Sequence, residues 1–335
     1  MPIIVNTSPL LDTEQGEAAE ILRGTGYAVR TSLYGPPRGP ADVIELFKDA
    51  AAAIVALDRL DAEVLAHAPH LRVIARTGVG YDTIDVAAAT EHNIVVCTTV
   101  GSNDRTVAEH TWGLILALAR RIPQQDAQVR SGSWQRLFGL ELWGKTLGVV
   151  GFGAIGRAVA RRGSGFEMRV LAHDMRPDAQ AATDLGVTLC DLPTLLAESD
   201  VVTLHVSLHA GSRGLIGAAE LHRMKLTALL INTSRGGVVD EAALLDALRD
   251  GTIGGAALDV LAVEPPGAAL APFLALPNVI FTPHCAGTTM ESVARAARMA
   301  AENVARVLSG RRPLHAVNPE VCARLGLQAR NHSPR

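Results

Sequence analysis

The sequence predicts an α/β protein of two doubly wound domains, each a parallel sheet with helices on both faces. The chain has 335 residues, and a single hydrophobic core stops growing at about 250 to 300 residues. Short β-branched runs alternate with helix-like stretches in two successive series, a pattern typical of parallel sheets. The glycine turn "GFGAIG" follows the first strand of the second series and opens a helix, as in dinucleotide-binding domains of the Rossmann type.

Composition narrows the class of partner. Apolar residues make up 48% of the chain and charged residues 19%, so there is ample material for packed cores. Lysine and arginine number 31 against 34 acidic residues, a formal net charge of −3. This balance argues against a nucleic-acid or anionic-membrane partner and favours a small molecule.

Cysteine spacing and hydropathy bear on metal binding, on the redox state of the cysteines and on whether the chain crosses a membrane. The cysteines are far apart, at Cys97, Cys190, Cys285 and Cys322. No pair or Cys/His group has the spacing of a metal site, so the sequence predicts no metal and a reduced, cytoplasmic protein. No apolar run approaches the roughly 20 residues that cross a bilayer.

The first series of elements occupies the first hundred residues. Its predicted strands are 3–5, 27–31, 53–57, 72–76 and 94–98. Helix-like segments, including 41–50 and 85–93, lie between them. This series already forms a complete α/β domain.

A long helix is predicted over 104–121, after the first series. Acidic residues lie near its start and Arg120 and Arg121 at its end, which suits the helix dipole. Its interior is apolar, and we interpret it as the connection between the two domains.

The second series begins near residue 147. Its predicted strands are 147–151, 169–174, 187–190, 200–206, 228–233, 255–260 and 279–283. A helix over 241–251 ends at the C-cap candidate Gly251, and a last helix covers 290–308.

The glycine turn predicts a dinucleotide site. Gly151 permits the tight turn, Gly153 lets the backbone approach a pyrophosphate, and Gly156 lets the helix pack on the strand. Asp174 ends the next predicted strand, where an acid accepts the ribose hydroxyls of NAD and repels the 2′-phosphate of NADP. Arg176 nearby could instead accept that phosphate, so NAD is the prediction and NADP the alternative.

Several longer motifs then carry a resemblance. They are "ARTGVGYDTID" (75–85), "GSNDRTVAEHT" (101–111), "INTSRGGVVDE" (231–241), "GGAALDVLAVEPP" (254–266) and "FTPHCAG" (281–287). Together with the glycine turn they resemble the D-isomer-specific 2-hydroxyacid dehydrogenase family. Within that family the motifs are most similar to those of members that act on 3-phosphoglycerate.

The resemblance implies a domain arrangement. A flavodoxin-like substrate-binding domain would comprise residues 1–101 with a returning segment at 289–335. A Rossmann-type NAD-binding domain, residues 102–288, would be inserted between these two parts. This explains why the glycine turn lies in the middle of the chain.

The resemblance also implies catalytic roles. Arg235 would hold the substrate carboxylate and polarise the keto group, His284 would donate the proton to the ketone oxygen, and Glu264 would orient His284. Taken singly, each could be an ordinary packed or solvated residue. Their occurrence together in matching motifs favours the catalytic interpretation.

Further contacts follow from the same resemblance. Ala154 and Ile155 would meet the pyrophosphate, Val206 and Thr233 would make backbone contacts to the cofactor, and Asp259 would bind the nicotinamide carboxamide.

The substrate carboxylate would meet the backbone N–H groups of Val79 and Gly80, with Arg76 nearby. The segment around Trp134 and Arg136 resembles an arm that crosses onto a partner subunit. With the apolar helix 104–121, which would otherwise be partly exposed, it predicts a homodimer.

Alternatives remain open for both the substrate and the functional class. Phosphoglycerate enzymes tend to carry an arginine after the third strand, where this chain reads "IVALDR", and the chain stops without the regulatory domain of their longer forms. Reduction of hydroxypyruvate or glyoxylate is therefore the alternative substrate prediction. An NADH-sensing transcriptional corepressor family uses the same fold and the same three residues, so a cofactor-gated binding protein is the alternative of another class.

Overall fold

The structure, a computed structural model, describes residues 2–33 and 38–328. The chain divides into two compact units. The first unit is Met1–Asn103 with Thr288–Arg335, and the second unit is Asp104–Gly287. None of the helices among the described residues combines the length and the apolar character that crossing a membrane requires.

The first unit starts with strands and helices in alternation. They are β1 (Ile3–Asn6), α1 (Gly16–Arg23), β2 (Val29–Thr31), α2 (Pro40–Phe47), β3 (Ala50–Val55), α3 (Ala62–Ala66), β4 (Val73–Arg76), α4 (Val86–Glu91) and β5 (Val95–Cys97). Aspartates cap two of the helices, because Asp61 accepts a hydrogen bond from the Val64 N–H and Asp85 from the Ala88 N–H.

The second unit contains the next fifteen α-helices and β-strands of the described chain. They are α5 (Asp104–Ala119), α6 (Ile122–Arg130), β6 (Thr146–Val150), α7 (Ala154–Gly165), β7 (Arg169–His173), α8 (Ala179–Leu185), β8 (Thr188–Leu189), α9 (Leu192–Glu198), β9 (Val201–Leu204), α10 (Ala218–Arg223), β10 (Leu229–Asn232), α11 (Glu241–Arg249), β11 (Gly255–Leu258), α12 (Ala271–Leu274) and β12 (Val279–Phe281). The chain then returns to the first unit with α13 (Met290–Leu308) and α14 (Pro319–Arg324).

The sheet of the first unit has the strand order β2-β1-β3-β4-β5, with every described pair parallel. Successive strand residues face opposite layers: Ile4 packs in the core under α1 and α13, and Val5 in the core under α2 to α4. Both faces are thus buried, which explains the continuous apolar strands. This order is that of flavodoxin-like sheets.

The sheet of the second unit has the order β12-β11-β10-β9-β6-β7-β8, again with parallel pairs throughout the described strands. The order reverses between β6 and β9, and ligands of such sheets bind at the carboxyl ends of strands at this switch point. The predicted class, two doubly wound parallel-sheet domains with a Rossmann-type sheet in the second, is confirmed.

Helix α5 corrects one expectation. Trp112, Ile115, Leu118 and other apolar side chains of α5 are buried in the core of the second unit itself. The apolar face of this helix therefore needs no partner subunit to cover it, and that argument for a dimer was wrong.

Candidate active site

The glycine turn lies at the switch point of the second sheet, between the end of β6 and the start of α7. Gly151 has φ 95°, and a Cβ there would lie 2.6 Å from the carbonyl carbon of His205. A Cβ on Gly156 would lie 2.0 Å from the carbonyl oxygen of Gly151. Only glycine allows these two approaches.

Above the turn there is room for a ligand. A Cβ built on Gly153 meets no atom within 4 Å. Among the described residues, the N–H groups of Ala154 and Ile155 at the start of α7 have no protein acceptor. Free amides at the positive end of a helix suit a pyrophosphate, so these residues fit the predicted dinucleotide.

Asp174 follows β7 and is fixed beside the turn. Its Oδ2 accepts a hydrogen bond from the Phe152 N–H at 2.7 Å, and its Oδ1 accepts one from the Arg176 N–H at 2.8 Å. The Arg176 N–H thus helps to fix the Asp174 carboxylate. The carboxylate is held in place before any ribose binds.

Arg157 is a residue that the sequence analysis missed. Its Nε donates to the carbonyl of Phe152 at 2.9 Å, its guanidinium lies 5.5 Å from the Phe152 ring centre, and its Nη2 is 3.0 Å from Asp178. Together with Asp174 it holds both backbone polar groups of Phe152. No local sequence signal distinguishes this arginine from its neighbours Arg161 and Arg162.

His205 was also missed by the sequence analysis. It follows β9, its Nε2 lies 2.9 Å from the Thr203 hydroxyl, and its Nδ1 is buried. Burial lowers the pKa of His205 to about 3, so the ring is neutral at physiological pH. A ring that stays neutral supplies no charge to the site, and the observed contribution of His205 is its backbone carbonyl, whose carbon would lie 2.6 Å from a Cβ on Gly151.

The other residues predicted to bind the cofactor follow three neighbouring strands. Val206 comes after β9, Thr233 after β10 and Asp259 after β11, so all three lie at the carboxyl edge of the sheet. The Thr233 hydroxyl is 3.0 Å from that of Thr111 on α5. The edge that carries the glycine turn thus carries these residues too.

Asp259 shapes the loop that carries His284. Its side chain is 1% exposed, and it accepts hydrogen bonds from the Thr282 hydroxyl at 2.5 Å and the N–H groups of Cys285 and Ala286 at 2.9 Å. Its backbone carbonyl accepts the His284 N–H at 2.8 Å. These contacts stabilise the left-handed backbone of His284 (φ 51°), a conformation that non-glycine residues rarely adopt.

The His284 side chain is paired with Glu264. Its Nδ1 lies 2.6 Å from Oε2 of Glu264, and Oε1 of Glu264 accepts the Leu261 N–H at 2.9 Å. Both side chains are 31% exposed. Because a carboxylate only accepts hydrogen bonds, Nδ1 carries a proton. The described residues offer no partner to Nε2, which leaves that nitrogen for a substrate.

Arg235 lies just after β10 in extended backbone and is half-buried. Its Nη1 donates to the Ser234 carbonyl at 2.8 Å, and the Asn232 amide donates to the Arg235 carbonyl at 3.0 Å. A Cβ on Gly236 would lie 1.9 Å from the carbonyl carbon of Leu261, so the segment that leads to Glu264 packs directly beside Arg235. Arg235, Glu264 and His284 follow the neighbouring strands β10, β11 and β12.

Cys285 differs chemically from its neighbour His284. Burial, with the Asp259 carboxylate next in effect, raises the pKa of the Cys285 thiol above its usual value. A raised pKa lowers the fraction of thiolate, which is the nucleophilic form, so Cys285 does not suit the role of a nucleophile.

The first unit contributes a turn after β4. The Arg76 guanidinium covers Gly78, since a Cβ there would lie 1.3 Å from Nη1. Within the described part of the chain, the N–H groups of Val79 and Gly80 donate no hydrogen bond to protein. Thr77 anchors the turn through a 2.7 Å contact between its hydroxyl and that of Ser8. The turn thus presents two backbone donors near a cation, a suitable nest for an anion.

The chain is similar to known proteins along most of its length. A family model described as "D-isomer specific 2-hydroxyacid dehydrogenase, NAD binding domain" matches residues 112–286. Glyoxylate reductase of Korarchaeum cryptofilum is 44% identical over 288 residues, which are 83% of this chain and 86% of that protein. D-3-phosphoglycerate dehydrogenase of Archaeoglobus fulgidus is 41% identical over 90% of this chain, which spans only 57% of that longer protein.

A solved structure shares the architecture. The NADPH-dependent glyoxylate/hydroxypyruvate reductase of Sinorhizobium meliloti, in complex with NADP and malonate, superposes with a TM-score of 0.84 at 29% identity. The match covers 99% of both chains.

Proposed function

The chain belongs to the D-isomer specific 2-hydroxyacid dehydrogenase family, and we propose that it is an NAD-dependent enzyme that reduces a small 2-keto acid to the 2-hydroxy acid. The observation that carries this proposal is the hydrogen bond of 2.6 Å between His284 Nδ1 and Glu264. It leaves an oriented ring nitrogen available for proton transfer at the carboxyl edge of the second sheet. The reverse reaction, oxidation of a 2-hydroxy acid, uses the same groups.

The cofactor would be held by residues of the second unit. Ala154 and Ile155 would donate their free N–H groups to the pyrophosphate over Gly153, and Asp174 would accept the ribose hydroxyls. Val206, Thr233 and Asp259 would make the remaining cofactor contacts along the same edge of the sheet. When bound, NADH supplies the hydride that the reduction needs.

His284 and Glu264 would act on the ketone oxygen. Hydride arrival at the carbonyl carbon leaves negative charge on that oxygen, and Nε2 of a protonated His284 donates the proton that neutralises it. Glu264 stabilises the imidazolium through its bond to Nδ1 and fixes the direction of Nε2. In the oxidation direction the neutral ring accepts the proton.

Arg235 would bind the substrate carboxylate and polarise the keto group. Arginine suits the task because its planar fork gives paired hydrogen bonds to a carboxylate and its charge does not titrate. In the first unit, Val79 and Gly80 would donate backbone hydrogen bonds to the carboxylate, with the Arg76 charge nearby.

Among possible substrates, we favour glyoxylate or hydroxypyruvate over a phosphorylated 2-keto acid. After β3 come Ala56 and Leu57, which carry no charge, and the next cation, Arg59, is 83% exposed with its Nε 3.5 Å from Asp61. A phosphate dianion needs a cation that is held in position to bind it, and the segment after β3 does not offer one. The 41% identity to a phosphoglycerate dehydrogenase keeps the phosphorylated substrate as the second candidate.

A homodimer is the proposed assembly. Helix α6 has no buried residue, and in the irregular segment after it Trp134 is 84% exposed and Phe138 95% exposed. Exposed aromatic side chains next to an unburied helix are characteristic of interaction surfaces. Arg136, which belongs to the predicted arm, lies between these two residues in the sequence.

The test is NADH oxidation with a panel of 2-keto acids that includes glyoxylate, hydroxypyruvate and 3-phosphohydroxypyruvate. We expect turnover with NADH, fastest with one of the two unphosphorylated acids. A higher kcat/KM for 3-phosphohydroxypyruvate would favour the second candidate. NADH binding without turnover on any acid would overturn the enzyme proposal in favour of the corepressor-like alternative.

A further inference from the structure

A second group of side chains lies behind the His284 loop. It consists of His110 on α5, Asp259 after β11 and Cys285 after His284. One ligand atom from each, the ring nitrogen, a carboxylate oxygen and Sγ, lies within 4.8 Å of both others. The three residues are far apart in the sequence, which is why no metal-ligand spacing was visible there.

The contacts within the group hold it in place. Nε2 of His110 is 3.0 Å from the Thr282 hydroxyl and 3.6 Å from Asp259 Oδ1, and the Cys285 N–H donates to the same Oδ1 at 2.9 Å. Asp259 Oδ2 accepts the Ala286 N–H at 2.9 Å. The Cys285 thiol also contacts the Asp259 carboxylate through a side-chain hydrogen bond, so the sulfur and the carboxylate already lie together.

The donor set identifies the class of ligand. Imidazole nitrogen, thiolate sulfur and carboxylate oxygen together suit Zn²⁺ and similar borderline-soft divalent cations, whereas Mg²⁺ and Ca²⁺ prefer oxygen alone. Three protein ligands leave the fourth tetrahedral position for water. His110 and Cys285 are only half-buried, so solvent reaches the group.

We propose that His110, Asp259 and Cys285 form a binding site for Zn²⁺, and that the bound Zn²⁺ inhibits the enzyme. Bound Zn²⁺ would engage the carboxylate that now positions the His284 loop and that the cofactor assignment gives to the nicotinamide. The cation would thus disturb His284 and weaken cofactor binding. The binding part of this proposal is independent of the proposed function, and the inhibition part rests on it.

Cobalt is the probe for binding, because Co²⁺ bound to a thiolate gives a charge-transfer absorption in the near ultraviolet. The reduced protein is titrated with Co²⁺ alone. We expect a band that saturates at one equivalent and disappears when Zn²⁺ is added. Absence of any thiolate band would overturn the proposal.

Variants locate the site. Cys285→Ser keeps the backbone bond to Asp259 and should abolish the band. His110→Gln keeps a side chain that can hydrogen-bond to Thr282 but lacks the ring nitrogen. It should weaken Co²⁺ binding by about 100-fold or more, because even outer-shell partners are worth about 10- to 100-fold. Cys190→Ser, which changes a half-buried thiol elsewhere in the second unit, should leave the band unchanged. A band that survives in Cys285→Ser, or is lost in Cys190→Ser, would place the metal elsewhere and contradict the proposal.

Activity gives the second readout. Zn²⁺ should inhibit the wild type and leave Cys285→Ser uninhibited at the concentration that saturates the cobalt site. Equal inhibition of both proteins would overturn the inhibitory role. If no keto acid is turned over, the proposed function fails while the cobalt band still decides whether the metal binds.

Discussion

The two units offer different chemistry at the carboxyl ends of their sheets. In the first unit the turn after β4 offers backbone donors, those of Val79 and Gly80, with Arg76 beside them. In the second unit the loops after β10, β11 and β12 offer side chains with fixed partners, above all His284 on Glu264. A backbone nest can hold an anion, whereas proton transfer needs a titratable side chain. Changes at the His284–Glu264 pair should therefore alter turnover, and changes at the turn after β4 should alter substrate affinity.

The largest effect is expected at His284. His284→Ala should lower kcat for keto-acid reduction by about 10² to 10⁴, the usual range for loss of a general acid, while the NADH dissociation constant stays close to that of the wild type. Steady-state kinetics and a fluorescence titration with NADH measure the two quantities. His222→Ala, at an exposed position of α10, is the control. Full turnover in His284→Ala would end the assignment of proton donor.

The second largest effect is expected for Arg235→Lys, which should lower kcat/KM for the keto acid on the order of 10²-fold. An ammonium keeps the charge but cannot reproduce the paired geometry of the guanidinium. Arg223→Lys, an exposed arginine on α10, should behave as the wild type. If lysine supported normal kinetics at position 235, charge alone would explain the residue and the paired contact would be wrong.

Asp174→Ala should narrow the preference for NADH over NADPH by about 10- to 100-fold, the worth of charge-assisted hydrogen bonds. NADH should bind less well because the variant loses the bond to the Phe152 N–H and the carboxylate that is proposed to accept the ribose hydroxyls. The ratio of kcat/KM for the two cofactors is the measurement, and Asp184→Ala, at an exposed position of α8, is the control. A wild type that uses both cofactors equally well would contradict this account of Asp174.

Gly78→Ala tests the predicted role of the first unit in substrate affinity. The added methyl group would displace the Arg76 guanidinium, and we expect the keto-acid KM to rise about tenfold, or about 1.4 kcal/mol, with kcat nearly unchanged. Gly113→Ala is the matched control, because a Cβ there meets nothing within 4 Å. A fall in kcat with constant KM would erase the proposed division between the units.

The sequence predicted the parallel sheets well because buried strands leave a strong local signal. Even the short strand β8 was expected, at 187–190. Helices α6 and α14 were not, and α6 shows why: with no buried residue it has no apolar periodicity to detect.

The site could be predicted only in part. The motifs named His284, Glu264 and Arg235, and their roles stay predictions, as does a cytoplasmic location. The contacts of Arg157 with Phe152 and of Asp259 with the His284 loop depend on residues brought together by folding. The same holds for the buried apolar face of α5, whose exposure was wrongly expected.

The most direct test of the central claim, that His284 and Glu264 act as one proton donor, is the pH profile of kcat/KM for reduction in Glu264→Gln. Glutamine can still accept the Leu261 N–H, but it no longer stabilises a positive ring. Reduction needs the protonated ring, so the account predicts a modest loss of rate at the optimum, a profile displaced to lower pH, and unchanged NADH affinity. A profile at the same pH as that of the wild type, merely scaled down, would contradict it.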